Sequence, residues 1–159
     1  MAYFDNNATT RPSTEVQKAF DQALRESWSN PSSPYRSGLE VRVRHEQARE
    51  HVASTLQVDA GSVSFTSGAT EANNTVFAHA AHFLEPRAKA LVSCIEHPSI
   101  FAPAKYWFAK HSQTFPVEPT GVIDLGRFSA LLKKDSGVRF VSLMAANNET
   151  GVLQPWSEL

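Results

Sequence analysis

The chain has 159 residues, 42% of them hydrophobic and 19% charged, with a net charge of −1. That is about one domain's worth of sequence, and its charge balance offers nothing to nucleic acid or to an anionic membrane. No apolar run reaches the roughly 20 residues of a membrane span, Met1 to Asp5 lacks the basic and apolar regions of a secretory signal, and Cys94, the only cysteine, cannot form an internal disulfide or a multi-cysteine metal site; a cytoplasmic protein is the expectation.

Pro12-Ser13-Thr14-Glu15 reads as a helix start, and Val16, Ala19, Phe20, Ala23 and Leu24 follow at helical spacing. Trp28 to Pro34 is a loop of Ser, Asn and Pro. A second helix is expected over Gly38 to Leu56, with Val41, Ala48, Val52 and Leu56 on one face. Arg42, Arg44, Glu46, Arg49 and Glu50 form a charged face that reads as solvated. Val63 to Thr66 then reads as a strand, broken by Ser67-Gly68, and Ala69 to Leu84 as a helix. Ala90 to Cys94 is the next strand, which makes Cys94 a small buried hydrophobe. Pro98 to Lys110 follows as a helix, its proline tolerable in the first turn. Phe115-Pro116-Val117 is a short strand weakened by proline, Asp124 opens a helix, and Arg139 to Met144 is the fourth strand. Gln154 to Leu159 reads as the first turn of a further helix. Strands alternating with helices imply a parallel α/β sheet.

In open α/β sheets ligands gather at the C-terminal ends of the strands. Three such ends carry polar clusters. Thr66-Ser67-Gly68-Ala69-Thr70-Glu71 runs from a strand through a glycine turn into a helix, which suits a phosphate; an ordinary helix cap is the plainer reading. His97, in Glu96-His97-Pro98-Ser99, can stack on an aromatic cofactor or move protons, or it is a structural histidine bonded to a loop. Ala146-Asn147-Asn148-Glu149-Thr150-Gly151 can bind a phenolic oxygen or a carboxylate, or it is a turn. A fourth cluster, Asp5-Asn6-Asn7-Ala8-Thr9-Thr10, opens the chain. His79 and His82 lie one helical turn apart without a third ligand at suitable spacing, so no metal site is expected.

The order and spacing of these clusters, with Asn30-Pro31-Ser32-Ser33 between the first two, resembles the cysteine desulfurases. These belong to the class V aminotransferase group of fold-type I pyridoxal-phosphate (PLP) enzymes. The resemblance spans the chain and implies the N-terminal portion of an aspartate aminotransferase-like large domain: a mainly parallel sheet with flanking helices, incomplete at the C-terminus. Residues 1–15 would line the active site and 16–159 would form the first part of the PLP-binding domain. Ser67, Gly68, Ala69 and Thr70 would hold the PLP phosphate. His97 would stack on the pyridine ring and assist proton transfers, and Asn148 would contact the phenolic oxygen and the substrate carboxylate. Asn6, Asn7, Ala8 and Thr9 would line the substrate pocket. The implied reaction takes sulfur from L-cysteine, leaves L-alanine and forms a persulfide on a cysteine thiolate.

The departures are specific. Tyr35 stands where the family usually has a histidine after Asn-Pro-Ser-Ser-x. The family's pyridine-nitrogen aspartate, its Ser-x-His-Lys lysine, its substrate-binding arginine and its catalytic cysteine fall past Leu159. Lys18, Lys89, Lys105, Lys110, Lys133 and Lys134 lie in no such motif, and Cys94 is not at the catalytic position. Alone, the chain is expected to be inactive. In the family's strand order Val63–Thr66 also has no neighbour within this chain, so aggregation, repacking or completion by another polypeptide is expected. A homodimer, or pairing with a complementary C-terminal polypeptide, would make the functional form. Selenocysteine lyase, an epimerase, a related aminotransferase, a non-catalytic subunit and an inert product are the alternatives.

Overall fold

The computed structural model describes residues 2–158; Met1 and Leu159, at the outer ends of the expected segments 1–15 and 16–159 and of the final helical turn, lie outside them. Backbone contacts divide the chain into two compact units, Met1–Phe65 and Thr66–Leu159.

The first unit holds two helices. In α1 (Thr14–Glu26) the Ser13 side chain accepts the Val16 N–H at 3.3 Å, with Glu15 in the first turn and Arg25 in the last. Cap and charges both favour the helix ends. Helix α2 (Arg36–Leu56) begins at Arg36 rather than Gly38 and ends at Gln57, whose φ of 56° is left-handed. Gly38 is a packing requirement: a Cβ there would lie 2.6 Å from the Ser33 carbonyl oxygen and 2.7 Å from that of Asn30. The Asn30–Ser33 turn can therefore lie directly on α2.

The charged face of α2 does more than meet solvent. Arg42 Nε donates to the Pro31 carbonyl at 2.9 Å, and Arg44 Nη1 donates to Ser27 Oγ at 2.8 Å and Glu26 Oε2 at 3.1 Å. Arg49 donates to the Val63 carbonyl, and its guanidinium lies 5.2 Å from the centre of the Phe65 ring. The apolar stripes have the opposite fate. Val16, Phe20 and Leu24 of α1, and Ala48, Val52 and Leu56 of α2, are exposed.

Val63–Thr66 is not a strand. A 3₁₀ turn covers Ala60–Ser62, and Val63 is extended, but no ladder forms on the segment among the described residues. A strand needs a neighbour to accept and donate its backbone bonds. Here Arg49 supplies one of those bonds from a side chain.

The second unit is a three-stranded parallel sheet in the order β2-β1-β3, with β1 Lys89–Ser93, β2 Ser112–Phe115 and β3 Val138–Ser142. Strand β2 stops at Phe115 because Pro116 has no N–H for the ladder, which moves it upstream of the expected Phe115–Val117. The central strand β1 is buried on both faces, and its side chains alternate between two cores. Ala90 and Val92 pack with Phe77 of α3 (Ala69–Phe83) and with Ala104 and Phe108 of α4 (Pro98–Phe108). Leu91 packs on the other face with Phe115, Ile123 and Phe128 of α5 (Leu125–Lys134). The sheet is thus covered on both sides, as its βαβ connections require. Pro155 leads into a 3₁₀ turn over Trp156–Glu158.

Candidate active site

The segments that carry the second unit's candidate residues are joined at the C-terminal end of its sheet by two hydrogen bonds between stretches distant in sequence, Asn73 to Ser99 and Asn147 to Ile95. Helix α3 begins there without a side-chain cap, because its N-cap residue is Gly68. In the first turn the N–H groups of Ala69 and Thr70 have no carbonyl four residues back within the helix. A Cβ on Gly68 would meet nothing within 4 Å, and its backbone is extended, so the glycine answers no need of the folded chain. It leaves open space over bare amides at the positive end of a helix dipole, which fits a phosphate. Glu71 turns back, and its Oε2 accepts the Ser67 N–H at 2.6 Å. The Ser67 hydroxyl, and after it that N–H, hold the Glu71 carboxyl below its ordinary range.

His97 is the N-cap of α4. Its Nδ1 accepts the Ser99 N–H at 3.1 Å and lies 2.9 Å from Ser99 Oγ. Asn73 Nδ2, near the start of α3, donates to the same Ser99 Oγ at 2.9 Å. The phosphate-type helix end and the histidine are therefore tied together by one hydroxyl.

The third cluster divides its labour between two asparagines. Asn147 is the turn residue: Oδ1 accepts the N–H groups of Glu149 at 2.9 Å and Thr150 at 2.8 Å, while Nδ2 donates to the Ile95 carbonyl at 3.2 Å. That last bond fastens the loop beside the segment leading to His97. Asn148, next to this anchor, is exposed. In the first unit, Asn6, Asn7, Ala8 and Thr9 form an exposed turn in which the Ala8 N–H donates to the Asp5 carbonyl at 3.2 Å.

Two residues, Cys94 and Glu96, have surroundings that their local sequence does not reveal. Cys94 is exposed and follows β1 instead of ending it, so it is not the buried small hydrophobe expected; its N–H still reaches the Phe115 carbonyl at 3.0 Å. Glu96 is buried, with Ser93 Oγ donating to its Oε1 at 3.4 Å. Burial pushes the Glu96 carboxyl up, against the Met144 N–H and the hydroxyls of Ser93 and Ser142, which favour its charged form.

A carboxyl with a raised folded pKa holds its proton more tightly folded than unfolded, so its contribution to stability is complete at low pH. That contribution is lost as pH rises from the ordinary value of 4.5 through the raised folded value. Glu96→Gln should remove this slope, leaving a protein whose urea midpoint exceeds that of the native chain above the window and converges on it below. Parallel midpoints for the two proteins across the whole range would count against a buried, proton-holding Glu96.

The family model for aminotransferase class-V matches residues 2–159. The chain belongs to this family. Among curated class-V relatives it is 36% identical to a selenocysteine lyase of Xenopus tropicalis, over 99% of this chain and 40% of the relative. It is 35% identical to the cysteine desulfurase NifS of Azotobacter vinelandii, over 99% of this chain and 39% of the relative. A solved NifS-like protein superposes with a TM-score of 0.90 at 37% identity, covering 99% of this chain and 43% of that one. The chain thus spans about 40% of the length of the curated relatives it matches, and it has the partial, helix-flanked parallel sheet of a NifS-like fold. No helix among the described residues is long and apolar enough to cross a membrane.

Proposed function

We propose that this chain forms the cofactor-cradling part of a PLP-dependent cysteine desulfurase, which takes sulfur from L-cysteine, leaves L-alanine and places the sulfur on a cysteine thiolate as a persulfide. One observation carries the reading. An uncapped helix start, a fixed histidine and an anchored asparagine loop converge on a single sheet edge. The family supplies PLP, which, when bound, stabilises negative charge at the reacting carbon of the amino acid.

Ser67, Gly68, Ala69 and Thr70 would hold its phosphate, chiefly through the backbone N–H groups of Ala69 and Thr70 and the Thr70 hydroxyl, the Ser67 hydroxyl turning from Glu71 to join them. His97 would lie flat against the pyridine ring and move protons at Nε2, since Nδ1 already accepts the Ser99 N–H. Asn148 would contact the phenolic oxygen and the substrate carboxylate. Asn6, Asn7, Ala8 and Thr9 are given to the substrate on the family resemblance alone. A cytoplasmic homodimer, or pairing with a complementary C-terminal polypeptide, would be the working form. Lys89 starts β1 and is paired with Asp135 at 2.6 Å, at the end of the strand away from His97. It is not placed to anchor a cofactor at the candidate site, and this chain alone is proposed to be inactive. Action on selenocysteine is the second reading, favoured by the 36% identity to the Xenopus tropicalis lyase.

Gly68→Ala tests the cradle cleanly, because the added Cβ meets open space and not protein. The variant should melt like the native chain yet bind PLP at least about tenfold more weakly, a loss of about 1.4 kcal/mol. Unchanged PLP affinity would remove Gly68 from the phosphate site. In the same titration, borohydride followed by peptide mapping should find no stoichiometric attachment at any one lysine; a single fully labelled lysine would overturn the proposed inactivity.

A further inference from the structure

His97 has two ring nitrogens, and its surroundings treat them differently. A backbone N–H can only donate, and the Ser99 N–H points at Nδ1 from 3.1 Å. A proton on Nδ1 would face that donor head-on, so the neutral ring carries its hydrogen on Nε2. The second partner of Nδ1 is Ser99 Oγ at 2.9 Å, and this hydroxyl already accepts from Asn73 Nδ2 at 2.9 Å. With its acceptor side facing the amide of Asn73, the hydroxyl turns its own hydrogen toward Nδ1. Asn73 is partly buried on α3, whereas Ser99 is in the first turn of α4, so the donor chain runs between two helices packed on one face of the sheet.

We infer that Asn73 and Ser99 are positioning residues that lock His97 as its Nε2–H tautomer and fix the ring relative to the start of α3. The inference rests on the proposed PLP site for its purpose, but not for its test. In that site it has a direct consequence: His97 presents N–H, not a lone pair, at its free nitrogen. The neutral ring therefore donates a hydrogen bond from Nε2; it takes up a proton only at Nδ1, against the Ser99 N–H, and the resulting imidazolium gives a proton from Nε2. Neither Asn73 nor Ser99 needs to touch substrate or cofactor for this.

The test is nitrogen-15 NMR of the full chain labelled at histidine, without PLP, at a pH where the imidazole is neutral, with His97 identified from the His97→Gln spectrum. The native chain should show Nε2 protonated and Nδ1 unprotonated. In Ser99→Ala and Asn73→Ala the population of rings outside the locked arrangement should rise about fivefold, as expected for one ordinary hydrogen bond. Both His97 nitrogens should then move toward the averaged shifts of a free imidazole. Ser99→Thr, which keeps the hydroxyl, should restore the native signals. A native Nδ1–H, or a His97 spectrum identical in Ser99→Ala and the native chain, would overturn the inference. PLP titration of the same samples separates the two ideas: a locked tautomer without PLP binding defeats the functional proposal and leaves the positioning role standing.

Discussion

Phe77→Ala should lower the unfolding free energy of the 66–159 unit by about 3–5 kcal/mol, the usual cost of emptying a buried aromatic position. Phe77 is 1% exposed and sits among Ala90, Val92, Ala104 and Phe108. Its ring meets Phe140 edge-on at 4.7 Å and Phe108 at 6.2 Å. Such pairs add about 0.5–1.5 kcal/mol beyond the area they bury. The adjacent Val76 is 55% exposed, so Val76→Ala is an internal control that should change stability by no more than about 0.5 kcal/mol. Chemical denaturation of both variants decides the matter. Equal costs at the two positions would contradict a core centred on Phe77.

The second large effect is expected at Gln154, a buried polar side chain holding two main-chain groups. Its Oε1 accepts the Ile123 N–H at 2.9 Å and its Nε2 donates to the Gly121 carbonyl at 2.7 Å. Gly121 has a φ of 83°, and a Cβ there would approach Val152 Cγ2 to 3.2 Å, so the turn cannot easily move to find other partners. Gln154→Ala strands both groups at about 1–3 kcal/mol each, and a total loss of about 2–5 kcal/mol should appear in denaturation. Gln154→Glu keeps the acceptor for Ile123 but, when ionised, sets a buried carboxylate oxygen against the Gly121 carbonyl, and should cost at least as much as alanine at neutral pH. An alanine variant as stable as the native chain would show that water replaces both bonds.

Helix starts were largely legible in the sequence because caps are local. Ser13 before α1 and Asp124 before α5 each accept an N–H within their own first turn. The absence of a ladder at Val63–Thr66 has no local signature, because an alternating or apolar run shows only that a segment suits a sheet, not that a neighbour exists for it. The candidate site divides the same way. Gly68, His97 and the Asn147-Asn148 pair stand at strand and helix ends that periodicity locates. Nothing local distinguishes Asn147, which fastens its loop to Ile95, from Asn148 beside it. The Asn73–Ser99 bond joins two helices and leaves no mark in either stretch of sequence. Glu96 is the exception to a sound rule: carboxylates are seldom buried unless paired, and here burial favours the protonated form while hydroxyls and a backbone N–H supply hydrogen bonds.

The position of Cys94 has a practical consequence. It is the single thiol of the chain and it is exposed, just after β1 and shortly before His97. A maleimide fluorophore or spin label will therefore attach at one known place without any engineering of the sequence. That place is on the sheet edge where the candidate residues converge, so the label becomes a local reporter whose emission or mobility follows events at His97 and the Asn147 loop. Because its backbone N–H is bonded to the Phe115 carbonyl, the tag hangs from a fixed point, and distances measured from it by energy transfer or paramagnetic relaxation have a defined origin.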